Sequence, residues 1–203
     1  MSPPTAAAAG SAVCVVRAAH GTGEGFAFLE PHWIVTARHV VRDQGVGDPV
    51  ALMFGGGMRS SASIATLHPH VDLAVLHVTG DARGVVPLRP PAEHLDVAEP
   101  AFCLASDARG SPDEVARNPA LLLEVRGFER TRRHRDGREE DLFIFPAPSA
   151  GSPRSGGPLL AADGTVVGVI VDSIDLAGCK YIRATAIEVL LPSFEMPAAD
   201  PPR

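Results

Sequence analysis

The chain has no apolar run approaching the roughly 20 residues that a membrane-spanning helix needs. The opening "MSPPTAAAAGSAV" leans apolar. It has no basic region, and its hydrophobic stretch is too weak for a secretory signal. Cysteine is scarce: Cys14, Cys103 and Cys179 are odd in number and far apart. That spacing does not suggest a disulfide framework or a zinc site, and the expectation is three small buried apolar residues. A reducing, cytoplasmic setting is expected from these absences. Positive charge is also short. The 18 Lys and Arg against 24 Asp and Glu leave a net charge of −6 and a pI near 5.7. That balance argues against nucleic acid as the main partner. Long amphipathic helical runs are missing too, which removes the helical bundles.

What is there is β-prone. Short runs recur through the 203 residues: "AVCVV", "FAFL", "WIVTA", "VALMF", "LAVLHV", "LFIF" and "TVVGVIV". Gly and Pro punctuate them, as expected of an all-β chain. Residues 1–11 read as a disordered lead and 196–203 as a flexible Pro-rich tail. Between them stand two strand-rich blocks, 12–80 and 98–195, joined by a connection over 81–97 that is rich in Pro, Gly and charge. About six strands fall in each block, which fits two small antiparallel barrels side by side. In the second, "LLLEVRGFERTRRHRDGREEDLFIF" reads as a hairpin with a charged tip and a tight-turn pair at Asp136-Gly137. Its basic run, Arg130 to Arg135, is followed by Glu139, Glu140 and Asp141. A solvated, partly self-paired tip is the ordinary account of such a run. The one expected helix is "ATAIEVLLPSF", short and ended near Pro192.

Three places carry chemistry. His39, in Thr36-Ala37-Arg38-His39-Val40, follows the apolar strand "WIV", where a side chain can leave the core and face a cleft. Asp72 opens the apolar strand "LAVLHV" and can be buried enough to orient an imidazole while staying ionised. Ser155, in Ser155-Gly156-Gly157-Pro158-Leu159, precedes two glycines that permit a tight turn and leave its hydroxyl exposed. Each alone is an ordinary surface histidine, a strand-opening aspartate, or a glycine-rich loop. In the order His, Asp, Ser they are a strong signal, because chymotrypsin-type triads use that order and subtilisins and α/β-hydrolases use others.

Two rival motifs are weak. In "HPHVD" two histidines and an aspartate stand close together, but no further ligand cluster follows, so no metal is expected. "GTGEG", Gly21 to Gly25, shares only glycine content with a phosphate loop and reads as a turn between strands. No cofactor is expected.

The sequence resembles the trypsin-like, chymotrypsin-fold serine peptidases, in the style of the bacterial high-temperature-requirement proteases. The resemblance covers nearly the whole chain. "GTGEGFAFLEPHWIVTARHVV" is similar to the family's glycine-led strand pair ending in Thr-Ala-x-His-Val. "HPHVDLAVLHV" is similar to its Asp-Leu-Ala-Val-Leu strand. "RSGGPLLAADGTVVGVIV" and "YIRATAIEVLLPSF" resemble the nucleophile loop with the strand after it, and the closing strand with the terminal helix. The resemblance implies two six-stranded antiparallel β-barrels with a short C-terminal helix. The first would carry His39 and Asp72 and the second Ser155, 33 and 83 residues apart in turn. It implies a serine endopeptidase acting through an acyl-enzyme, with Ser155 as nucleophile, His39 as general base and Asp72 orienting it. Ser149 would lie at the specificity pocket, Ser152 would shape a wall, and Val171, Asp172 and Ser173 would pair with an extended protein or peptide substrate.

The pattern departs from the family at Pro153. There the family has a glycine whose N–H, with that of the serine, forms the oxyanion hole; proline has no N–H. The backbone of Pro153, Arg154 and Ser155 therefore offers one donor fewer. Three accounts stay open: a rearranged loop, a slow or conditionally activated protease, or a pseudoprotease that binds peptides or a partner. Arg154 replaces the aspartate that cleavage-activated members carry, and the safer expectation for it is a solvent-facing side chain. Without an acid at Ser149 a preference for Arg or Lys is unsupported, although Asp172 and Asp175 are placed to restore one. The Pro-rich end suggests joining to an effector or adaptor domain.

Overall fold

The computed structural model describes residues 10–92, 101–106, 121–125, 129–135, 138–147 and 152–194. The class is all-β. Strands β1 (Val13–Arg17), β2 (Thr22–Phe28), β3 (Glu30–Thr36), β4 (Pro49–Phe54), β5 (Arg59–Leu67) and β6 (Ala74–Val78) close into an antiparallel barrel in the order β1-β2-β3-β6-β5-β4. Closure leaves no edge in this unit. The inner positions of each strand fill the barrel. Phe26, Phe28, Phe54, Ile34, Ile64 and Leu76 are all under 2% exposed. Burying a side chain of this size stabilises the fold by roughly 1.5–3 kcal/mol.

The second unit is a curled sheet, a half-barrel. It comprises β7 (Ala101–Ser106), β8 (Leu121–Val125), β9 (Glu129–Arg135), β10 (Arg138–Pro146), β11 (Ser152–Pro153), β12 (Pro158–Leu160), β13 (Val166–Leu176) and β14 (Cys179–Ala186). Its order is β11-β7-β12-β13-β14-β10-β9, with β8 paired to β7. The expected hairpin is real but drawn differently. Leu121–Val125 pairs with β7, while the basic run forms β9 and pairs with β10 in the register Arg135↔Arg138. The basic residues are thus a strand rather than a tip, with Glu140 opposite Arg133 and Asp141 opposite Arg132 in the register. Asp136 and Gly137 lie outside the described residues.

The two units share one apolar seam. Leu160, Val166, Val169, Val171, Ile187 and Leu190 pack with the first barrel's core, while Phe143, Phe145, Leu159, Ile170, Ile182 and Ala184 form the second unit's own. The terminal helical segment is a 3₁₀ turn, Ile187–Leu190, and one α-turn, α1 (Leu191–Phe194). Pro192 lies inside α1 rather than ending it, in the first turn where its missing N–H costs no bond. Phe194 then packs on the first barrel, its ring 5.4 Å from Phe28 and 6.2 Å from Trp33. Among the described residues no helix is long and apolar enough to cross a membrane. Cys14 and Cys103 are buried as expected, but Cys179 is exposed, because it opens β14 beside the Ala177-Gly178 turn.

Candidate active site

His39 sits in a 3₁₀ turn, Arg38–Val41, directly after β3. Val40 and Val41 bury themselves in the core and turn the imidazole outward, half-exposed. Asp72 lies two residues before β6. Its turn is pinned by several bonds. The His68 N–H donates to Leu73 O at 2.9 Å, and the Arg38 N–H to Asp72 O at 3.1 Å. His68 Nδ1 accepts from the amides of His70 and Val71. One nitrogen of the "HPHVD" motif is thereby spent on the turn itself.

The two residues meet twice. The His39 backbone N–H donates to Asp72 Oδ1 at 2.8 Å, and His39 Nδ1 lies 2.6 Å from Asp72 Oδ2. An ionised carboxylate only accepts, so Nδ1 carries the hydrogen and Nε2 is left as the basic nitrogen. The bond to Asp72 raises the pKa of His39. Burial opposes that rise, the charges of Asp72 and Asp172 add to it, and Arg42 acts against it.

Ser155 comes from the second unit. Its loop is held by β13, with Gly156 N–H donating to Ile170 O at 2.7 Å and Ile170 N–H to Gly157 O at 2.8 Å. It is also held by the first barrel, where Glu24 N–H donates to Ser155 O at 2.8 Å. That approach needs two glycines. A Cβ on Gly156, whose φ is +92°, would stand 1.8 Å from Glu24 O, and one on Gly23 would stand 2.7 Å from Ser155 O. The Ser155 hydroxyl donates to Val171 O at 3.0 Å. Among the described residues it makes no hydrogen bond to His39. The first barrel therefore holds a bonded histidine–aspartate pair, and the second unit a serine turned to a backbone acceptor.

Pro153 pairs with Ala105 and Ser152 with Ser106 across β11 and β7. Arg154 O accepts from Gly157 N–H at 3.0 Å. In a trans peptide the Ser155 N–H points the opposite way, and among the described residues it has no acceptor. Ser149 lies outside the described residues. Val171, Asp172 and Ser173 continue β13 past the last residue that pairs with β12, so among the described residues one edge of β13 is open there. The carboxylate of Asp172 is held by the mostly buried Arg183 guanidinium on β14.

These residues match a known pattern. The family model described as a trypsin-like peptidase domain matches residues 10–169. The chain belongs to this family. Human serine protease HTRA4 is 27% identical over 161 residues, 77% of this chain and 32% of that protein, so the chain spans about a third of that relative. Among solved structures, the inactive form of the Rv3671c protease is 25% identical with a TM-score of 0.69, covering 98% of both chains. The active form of the same M. tuberculosis protease gives 24%, 0.68, and coverage of 100% of this chain and 91% of that one. An HtrA-type protease, AlgW with a tripeptide, has a TM-score of 0.70 at 16% identity, covering 95% of this chain and 63% of that one.

Sequence reasoning misplaced one motif of this family domain and missed one residue. "GTGEG" is not a turn: from Thr22 onward it is the start of β2. Glu24 at its centre is 2% exposed and lies against the Ser155 loop. The available signal was a lone acid flanked by glycines in a strand, since glycine in a strand marks close backbone approach. Arg154 is partly buried rather than solvent-facing, and its charge acts on Glu24.

Proposed function

We propose that this domain is a serine endopeptidase whose resting nucleophile is disengaged. The observation that carries this reading is the doubly bonded His39–Asp72 pair, with Nδ1 on the carboxylate and Nε2 left as a base. Ser155 Oγ attacks the substrate carbonyl and gives its proton to His39 Nε2, and Asp72 steadies the imidazolium that forms. The proton then passes to the leaving amine as the C–N bond breaks. Water, deprotonated by His39 in turn, attacks the acyl carbon, and the C–O bond to Ser155 breaks as His39 returns the proton to Oγ. The open edge of β13 at Val171 to Ser173 pairs with an extended peptide. Because Pro153 supplies no N–H, the oxyanion rests on the Ser155 amide and one donor fewer, which slows the chemistry by roughly 10²–10³.

A second reading is a peptide- or partner-binding module on the same fold. It is favoured by Pro153 and by the bond from Ser155 to Val171. A fluorophosphonate probe separates the two. The enzyme reading expects covalent labelling of the native chain that Ser155→Ala abolishes. No labelling, with or without candidate peptides present, together with full peptide binding by Ser155→Ala, establishes the module instead.

A further inference from the structure

The proposed triad leaves the buried acid Glu24 unused. Glu24 touches all three residues of Ser155-Gly156-Gly157. Its N–H donates to Ser155 O, its carbonyl O stands 1.8 Å from where a Cβ on Gly156 would be, and its Oε2 stands 2.7 Å from where one on Gly157 would be. The carbonyl is fixed from the other side by the Thr36 hydroxyl at 2.6 Å. The carboxyl is buried, and among the described residues Oε2 has no hydrogen-bond partner. A buried acid without a partner is costly when ionised.

The ionisable groups facing it come from three elements. Cys14 of β1 and Cys103 of β7 are thiols that burial, and the charge of Glu24 itself, hold protonated. Each offers a carboxylate no positive charge and at most a weak S–H donor. Arg154, on the nucleophile loop, is the third, and its charge favours the ionised acid. Arg154 is bonded directly to Ser155, and its carbonyl receives the Gly157 N–H. A pull on Arg154 is therefore a pull on the peptide that carries the Ser155 N–H.

We infer that Glu24 is a positioning residue for the nucleophile loop: when ionised it draws the Arg154 guanidinium toward itself and turns the Ser155 hydroxyl away from Val171 and toward His39. Neutral Glu24 leaves Ser155 on the Val171 carbonyl. Burial raises the Glu24 pKa to about 8, and Arg154 offsets that only in part, so the loss of the change in Glu24→Gln is what tells it from the raised His39 titration. The inference rests on the reading of Ser155 as nucleophile.

Two measurements on the full chain test it. The first is the fluorophosphonate labelling rate of Ser155 from pH 5 to 9.5 in the native protein, Glu24→Gln, Glu24→Asp, Arg154→Gln and the double variant. The native protein is expected to show a second rise of about tenfold between pH 7 and 9, the change in ionised fraction for a group titrating near 8. Glu24→Gln and Arg154→Gln each lose that rise, the double variant loses no more than either, and Glu24→Asp retains it. A native-like second rise in Glu24→Gln overturns the inference. The second is hydrogen exchange of residues 152–158, compared between native protein and each variant at the same pH, which needs no activity. Native protection is expected to diverge from that of Glu24→Gln between pH 7 and 9; parallel curves overturn the inference. If the native chain never labels, the enzyme reading fails and the exchange arm alone decides. If Glu24→Gln does not fold, Arg154→Gln carries both arms.

Discussion

Ser155 gives its hydroxyl to the Val171 carbonyl, 3.0 Å away, while the imidazole proposed to take its proton is held at 2.6 Å by Asp72. Half of the proposed machinery is thus preorganised and half is parked. The His39–Asp72 pair is fixed by backbone bonds within one barrel. The serine hangs between that barrel and β13, and its neighbours decide where it points.

The preorganised half makes the first prediction. Asp72→Asn keeps the shape of the pair but no longer fixes Nδ1 as the protonated nitrogen. Peptide turnover or probe labelling is expected to fall by about 10⁴-fold. The His39 pKa, read by NMR titration of the ring, is expected to drop once its bond to the carboxylate is gone. Because the folded pKa is raised, the pair stabilises the fold fully below the unfolded histidine value near 6.5. That contribution is lost as pH rises through the folded value, so native protein and Asp72→Asn differ most in stability at acid pH. Both side chains are half-exposed, which keeps the difference small.

Gly156 makes the second. It holds φ at +92°, and a Cβ there would lie 1.8 Å from a backbone oxygen of the neighbouring barrel, which cannot move as a side chain end can. Gly156→Ala is expected to cost at least about 2 kcal/mol, or to give no folded protein. Thermal melts against Gly178→Ala check it. Gly178 also has positive φ but nothing within 4 Å, so that variant isolates the backbone strain from the clash.

Much of this was legible in the sequence, for physical reasons that differ between elements. The strands around "WIVTARHVV" and "VDLAVLHV" announce themselves because apolar runs end abruptly at a polar residue, and those boundaries are where His39 and Asp72 stand. The assignment of Leu121–Val125 to a hairpin failed because an apolar β-prone segment pairs as readily with a distant strand as with a near one, and β7 won it. The effect of the Arg154 charge on Glu24 was out of reach. It joins residues 130 positions apart, across two units, and nothing local to either records the other. The direction of the Ser155 hydroxyl was hidden for the same reason, since its acceptor belongs to β13.

Buried Glu24 makes the third prediction. Its folded pKa near 8 lies above its ordinary value of 4.5, so its contribution to stability is fully present below about pH 4.5 and is lost progressively up to about pH 8. The whole span is worth up to about 5 kcal/mol. Glu24→Gln cannot titrate. Relative to that variant, the native protein is expected to lose stability steadily between pH 4.5 and 8 and to level off above it. Melting temperatures of the two at pH 4.5, 6, 7 and 8.5 show this as curves that separate with rising pH; a constant gap contradicts it.

Pro153 makes the last. It sits in the short β11 pairing with β7, and its ring removes the one backbone hydrogen that the family's glycine would offer at this place. If the missing donor limits the rate, Pro153→Gly restores it. Labelling and turnover are then expected to rise by roughly 10²-fold or more, since one oxyanion donor is worth about that much. Pro153→Ala also restores an N–H but keeps a Cβ, so it should recover most of the gain unless the loop needs the wider freedom of glycine. The gain belongs in kcat rather than KM, because the donor meets charge that develops only as the carbonyl is attacked. A rise confined to KM would place Pro153 in substrate binding, and no rise in either variant would show that the Ser155 loop already finds its second donor elsewhere.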